Sequence, residues 1–363
     1  MAGVGQIKPT PDISVVFKTL ATTVIQRSAL GILCMILKDT KQTEKWVNVG
    51  TIADIDETKW DTKSINLIKL AMYTYSPKKI LIRVQGAEEQ ISTILTETKQ
   101  RKINWLVAPN ATEEEDTTIT LWVKQVFGTE AIDKTVKYIS SFATNTDHVA
   151  VVQLGNKTYK SKLGEFTGQE YTAAIGGMLA GLPLNISADN LVMSDLIEVD
   201  DIEPALGVLS LYNDDGKVRI NMAVNSKTTF DSAWKSDTRF IKVVEGMCIV
   251  VDDIRDTFKN YWMGKYINNY DNKMNFCSNV NKIYFKDLQP NVLSADYDNR
   301  IEIDYDEQRK VVVADGRDPD ELTDLEILSY PSGHQVFLAG DVRFARFTPC
   351  NNNVGGNKWQ ERI

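Results

Sequence analysis

The sequence predicts a multidomain protein of the α/β and α+β classes, with layered α/β domains followed by a C-terminal helix-and-sheet domain. Three observations predict it. Apolar strand-like runs alternate with amphipathic helical patterns from Ile32 to Pro183, the order that gives parallel pairing. A long apolar stripe then recurs at alternating steps of four and three from Phe240 to Tyr261. Finally, isolated strand patterns stand near both ends, at Asp12–Lys18 and at residues 334–347.

The elements follow in order. In the N-terminal pattern Asp12–Lys18 the apolar, strand-forming Ile13, Val15, Val16 and Phe17 predict a lone strand, the core of an arm over residues 1–20. Ile32–Leu37 is continuously apolar and bounded by Gly31 and Lys38, as a strand buried on both faces should be. Ile65, Ile68, Ala71, Met72 and Tyr75 mark one helix face, stopped by Pro77. Lys79–Val84 reads as a strand, and Gly86 opens a helix with Ile91, Ile94, Leu95 and Thr98 inward. These elements form a small α/β domain over residues 21–102.

A middle α/β domain over residues 103–231 begins with the strand Asn104–Ala108. Thr112 with Glu115 three residues on is a capping box for the next helix. Ile132, Val136 and Ile139 suggest another helix, and His148–Leu154 another strand. Tyr171, Ala174, Ile175, Met178, Leu179 and Leu182 form a helix face that ends at Pro183. Its neighbours Gly176, Gly177, Ala180 and Gly181 are small, which points to close backbone packing against a strand or helix. Asn213-Asp-Asp-Gly216 between two strand patterns is a hairpin signal.

The C-terminal domain spans residues 232–347. Its stripe of Phe240, Val244, Met247, Val251, Ile254, Phe258 and Tyr261 predicts a helix over 239–264, with Asp252, Asp253 and Asp256 on a solvated or contact face. A second helix is expected across Asn269–Leu288. Ile301, Ile303 and Tyr305 alternate with acidic residues and predict a hairpin with Val311–Val313, joined by the strand at 334–347 through Val336, Leu338, Val342 and Phe344. Residues 348–363, polar and with adjacent glycines, are expected to be a mobile tail.

Composition narrows the function. Net charge is −8, and residues 287–330 hold 13 acidic against 4 basic side chains, a poor basis for binding nucleic acid through phosphates. No apolar run approaches a membrane span, and no basic segment precedes an apolar core at the N-terminus, so direct membrane insertion and secretion are not expected. The scattered Cys34, Cys248, Cys277 and Cys350 include no CxxC pair and suggest a reducing compartment.

Chemistry is mostly missing. The two histidines, His148 and His334, have no nucleophile motif beside them, and no zinc spacing occurs. Gly264-Lys265 lacks the rest of a phosphate loop, because Lys259 and Tyr266 stand where glycine and Ser or Thr are required. Asp296–Glu302 has Ile301 where a calcium loop needs its turning glycine. No catalytic residues, cofactor or metal are expected. Apolar strands at both ends instead suit edge pairing with another copy, so the sequence reads as an assembly protein, not an enzyme.

Several separated stretches resemble contractile tail sheath proteins, specifically the short sheaths of phages and phage-tail-like bacteriocins of Gram-positive bacteria. They are Pro11–Lys18 with Val24–Ser28 and Gly31–Asp39, Tyr171–Ser187, Gly216–Ile220 running to Ser226, Phe240–Met247 and Gly264–Lys273. The chain departs from the family's acidic closing strand, running Gly340–Phe347 instead. The resemblance implies a structural subunit assembled in bacterial host cytoplasm and then carried in a released virion or bacteriocin particle. It would polymerise as stacked hexameric rings around an inner tube, woven by terminal arms that complete a small sheet in a neighbour, with the α/β domains outward. Contraction would drive the tube through a target envelope. Its implied partners are copies of itself, the tail tube protein, and baseplate and tail terminator proteins. Strand exchange would fall to Ile13, Val15, Phe17, Val336, Leu338, Val342 and Phe344, and tube contact to Arg255, Lys259 and Lys265. Two alternatives stand beside this: another phage tail or baseplate assembly protein, and a layered α/β enzyme with a site near Pro109-Asn110 or Leu154-Gly155.

Overall fold

The computed structural model describes residues 31–127, 134–231, 234–289, 291–331, 338–342 and 344. The N-terminal arm with Ile13, Val15 and Phe17, Val336, His334, Cys350 and the 348–363 tail lie outside the described residues. The described chain forms two compact units: Ile32–Leu182 with Ile186–Lys242, and Pro183–Asn185 with residues from Val243 onward.

The first unit is built on one sheet that runs through both α/β segments separated by the sequence reading. Its strands are β1 (Ile32–Lys38), β2 (Trp46–Val49), β3 (Lys79–Gln85), β4 (Trp105–Val107), β5 (Lys137–Ser140), β6 (Val151–Leu154) and β10 (Val208–Leu209), in the order β10-β6-β5-β4-β1-β3-β2. All pairs are parallel except β2 with β3. β1 buries five successive side chains, as a central parallel strand must with layers on both faces. Helices α1 (Thr62–Leu70), α2 (Ile91–Lys99), α3 (Glu113–Val126) and α4 (Gly168–Gly181) supply those layers. The Thr112–Glu115 capping box opens α3 as expected, and Thr167 with Glu170 opens α4 in the same way. A second sheet, ordered β8-β7-β9, contains β7 (Thr158–Ser161), β8 (Gly164–Thr167) and β9 (Leu196–Val199). The expected hairpin forms from β11 (Leu211–Asp214) and β12 (Lys217–Ile220), with Asp215 and Gly216 both at positive φ between them.

Ile132 lies outside the described residues, and Val136 and Ile139 do not belong to the expected helix, because Lys137–Ser140 is β5. Three apolar residues at steps of four and three fit a helix locally. Here the slot between β4 and β6 decides, and all four strand positions are buried. The Lys137 amine is accommodated by donating to the Thr135 carbonyl at 3.1 Å and lying over the Trp105 ring.

The small-residue face of α4 packs backbone on backbone. A Cβ on Gly177 would lie 1.9 Å from the Ala71 carbonyl oxygen, and one on Gly181 would lie 2.6 Å from that of Ser76.

The second unit centres on α5 (Ile241–Thr257), which begins at the boundary, and α6 (Tyr270–Asn279). α5 runs into a π turn at Phe258–Trp262, and α6 continues through Val280–Tyr284 and Phe285–Leu288. Trp262, Phe276, Tyr284, Phe285 and Leu288 form the core of this unit. The heptad stripe is not the fully buried face. Met247 and Val251 are half-buried and Tyr261 is exposed, whereas Val250, Asp253 and Thr257 are buried. Asp253 is therefore no solvated carboxylate: it accepts the Tyr284 hydroxyl at 2.7 Å. A heptad count locates one contact line, but the helix is enclosed by more than one neighbour.

The expected hairpin between residues 301–305 and 311–313 is also replaced. Strand β13 (Arg300–Ile303) is followed at once by α7 (Tyr305–Ala314). The Asp304 side chain accepts the Glu307 N–H and caps α7, and local capping outweighs the strand preference of three successive valines. α8 (Asp324–Ser329) follows, and β13 pairs instead with β14 (Leu338–Asp341).

Candidate inter-subunit surface

The β13–β14 ribbon is antiparallel, with Arg300, Ile301, Glu302 and Ile303 opposite Asp341, Gly340, Ala339 and Leu338. Ile301 and Ile303 are buried and Arg300 and Glu302 are exposed, the alternation of a ribbon laid on a core by one face. Val342 and Phe344 pack half-buried against that core, and Phe344 forms a bridge with Leu293. Gly246 on α5 leaves the room Phe344 occupies, since a Cβ there would come within 2.7 Å of its ring. Of the expected strand-exchange residues, the structure thus brings Leu338, Val342 and Phe344 to one ribbon end. Asn281, which the sequence reading did not single out, binds the ribbon edge: its Nδ2 donates to the Ile301 carbonyl at 2.9 Å and its Oδ1 accepts the Ile301 N–H at 2.7 Å. A lone asparagine in an amphipathic helix gives no signal of this role.

Arg255 lies half-buried in the last turn of α5, while Lys259 and Lys265 are exposed on the π turn and the loop beyond it. Lys265 donates to the Asn260 carbonyl at 2.8 Å and sits over the Tyr261 ring. Beside it a groove of about 380 Å³ is lined by Phe258, Trp262, Tyr266, Ile267, Asn272 and Lys273, among others. The Lys273 amine is already engaged by the Gln308 side chain and the Leu328 and Tyr330 carbonyls at 2.9 to 3.3 Å. Burial lowers its pKa, and no carboxylate is among those three acceptors.

In a doubly wound sheet a ligand site is expected in the crevice at the carboxyl ends of the strands. Here that crevice is occupied by the chain itself. Lys38 at the end of β1 pairs with Glu115 at 2.6 Å, Gln85 at the end of β3 donates to the same carboxylate at 2.8 Å, and Glu115 also closes the α3 cap. These contacts hold its carboxyl below the usual range despite partial burial. Near Pro109-Asn110, Asp116 is enclosed and accepts Tyr138, Ser140 and Gln169 at 2.6, 2.7 and 3.3 Å. At Leu154-Gly155, a Cβ on Gly155 would strike Ile202 and Val208. His148 is a half-buried, packed side chain: its Nδ1 accepts the Ala150 N–H, and Phe127 meets it edge-on. Cys34, Cys248 and Cys277 are buried thiols, and burial pushes Cys34 up to about 12. Among the described residues no cluster of three metal-ligating side chains occurs, and no helix is long and apolar enough to cross a membrane.

The chain thus combines a layered α/β unit whose strand-end crevice is filled by its own side chains with a short β ribbon. No family model matches the sequence. It is 25% identical over 324 residues to the tail sheath protein of Clostridium phage phiCD119, covering 82% of this chain and 85% of that protein. The fold matches a sheath tail protein of Listeria innocua with a TM-score of 0.68 and 11% identity over 92% of this chain and 99% of that one. A sheath tail protein of Desulfitobacterium hafniense gives 0.66 and 13%, over 83% and 93% of the two chains. The helical sheath of the anti-feeding prophage in its contracted state gives 0.65 and 11%, over 96% and 97%. The resemblance to tail sheath proteins is borne out: a homologue of the chain is a phage tail sheath protein, and the chain shares its multidomain α/β fold with solved sheath structures.

Proposed function

We propose that the chain is the structural subunit of a contractile tail sheath and carries out no catalysis. The observation that carries the reading is the near full-length similarity to a phage tail sheath protein, supported by a fold shared with a sheath solved in the contracted state. In this reading copies polymerise as stacked hexameric rings around a tail tube. The arm Ile13–Phe17 adds as a strand to the β13–β14 ribbon of another copy, with Val336, Leu338, Val342 and Phe344 on the receiving side. Edge pairing supplies main-chain hydrogen bonds that survive rotation of the bodies they tether. Contraction is then a rigid-body change between two lattices that needs no nucleotide. Arg255, Lys259 and Lys265 contact the tube, and baseplate and terminator proteins close the two ends.

Negative-stain electron microscopy of the concentrated full-length protein tests this. Hollow striated cylinders are expected, and deletion of residues 1–20 should abolish them while leaving the circular dichroism spectrum unchanged. A truncated protein that still forms the same cylinders would rule out strand exchange by the arm.

A further inference from the structure

The two edges of the β13–β14 ribbon are not equivalent. In an antiparallel pair both main-chain groups of a residue point to the same side, and successive residues alternate. Ile301 directs both its N–H and its C=O to the Asn281 side chain. Ile301 therefore faces away from β14, and Arg300 and Glu302 are the residues bonded to it. The same parity makes residues 299, 301 and 303 the outer edge of β13. The Asn299 N–H is taken by the Tyr297 carbonyl at 3.0 Å, and Ile301 is taken by Asn281. After Ile303 the chain leaves the ribbon for α7, so Ile303 alone remains. An incoming strand finds no ladder there.

On β14 the register leaves Leu338 and Gly340 outward, with Val342 continuing the parity. Among the described residues no strand lies beyond β14. Phe344 is already bridged to Leu293, so the stretch left open among the described residues is 338–342, equal in length to Ile13–Phe17. Glycine at the middle of a strand is a usual mark of close approach by a second backbone. Leu338 and Gly340 stand opposite Ile303 and Ile301 in the register, and Ile301 and Ile303 supply the buried apolar face of the ribbon. An arm with Ile13, Val15 and Phe17 at alternate positions can extend that face by one more strand.

We propose that strand exchange uses the β14 edge alone, with residues 13–17 of a second copy bonding to Leu338, Gly340 and Val342, and that Asn281 closes the β13 edge against the same arm. This rests on the sheath reading above. The side-chain amide stands in for one peptide unit of a neighbouring strand, satisfying the edge while leaving no edge to extend.

Amide hydrogen exchange on the full chain, before and after polymerisation, tests the assignment. The Ile301 amide should be protected in both states, and the Gly340 amide should slow about tenfold or more only in the polymer. Asn281→Ala should speed Ile301 exchange in the unpolymerised protein. Gly340→Pro removes the outward N–H without touching the bonds to β13 and should block polymerisation of a folded chain. A polymer in which Ile301 gains protection and Gly340 does not overturns the edge assignment and leaves strand exchange standing. Failure of the unaltered chain to polymerise under any condition overturns strand exchange itself.

Discussion

Gly177→Ala tests the central packing of the α/β unit. The added methyl would lie 1.9 Å from the Ala71 carbonyl oxygen, 2.5 Å from its carbon and 2.6 Å from its Cα, so only separation of two backbones can relieve it. Reaching ordinary contact requires a shift of about 1.5 Å. The shift would loosen α4 against Leu67, Ile68 and Ala71, all fully buried. Overpacking of this kind costs about 3 kcal/mol at the upper end of its usual range. Alanine returns about 1 kcal/mol through helix propensity. The net is destabilisation of about 2 kcal/mol, read as a lower midpoint in urea and a fall in Tm of roughly 4–8 °C for a unit of this size. Gly216→Ala is the contrast: it meets nothing within 4 Å but sits at φ +75°, and should cost about 1 kcal/mol from the backbone alone. A Gly177→Ala protein as stable as the unaltered chain would refute the close-approach argument.

Burial, reinforced by the cations of Lys124 and Lys227 and opposed by Asp147, lowers His148 from 6.5 to about 4. Its folded form stays neutral where the unfolded chain binds a proton, so this stability is complete above pH 6.5 and falls by about 3 kcal/mol as pH drops to 4. His148→Gln should flatten urea-unfolding stability across that window, and an unchanged slope would count against the assignment. Tyr284→Phe removes a donor from buried Asp253 and should cost about 1–2 kcal/mol by chemical denaturation. Lys273→Met forfeits three hydrogen bonds and should destabilise the C-terminal unit by about 1–3 kcal/mol, seen as faster amide exchange in α7 and α8.

The elements legible in the sequence were those set by local rules. β1 and β3 announce themselves as apolar runs, α3 by its capping box, and the β11–β12 turn by Asp-Gly at positive φ. The likeness to sheath proteins was legible for another reason: it rests on several ordered stretches, each short, spread along most of the chain. The misreadings share one cause. Residues 132–139 and 311–313 carry patterns compatible with either periodicity, and neighbours outside the segment choose between them. β5 is decided by the slot between β4 and β6, and α7 by the Asp304 cap that ends β13.

The candidate surface divides along the same line. Alternation alone marks Ile301 and Ile303 as one face of a strand, because side chains on a strand have period two whatever lies nearby. Which strand they pair with, and which edge stays open, depends on residues far away in the chain. Asn281 reaches Ile301 from twenty residues upstream, and β14 arrives from beyond two intervening helices. The burial of Asp253 and the filling of the strand-end crevice by Lys38, Gln85 and Glu115 are likewise set by packing between distant segments. Local propensity and periodicity fixed most of the elements. The tertiary structure decided which backbone groups are spoken for and which remain open, because each hydrogen bond needs a partner that only the folded chain delivers.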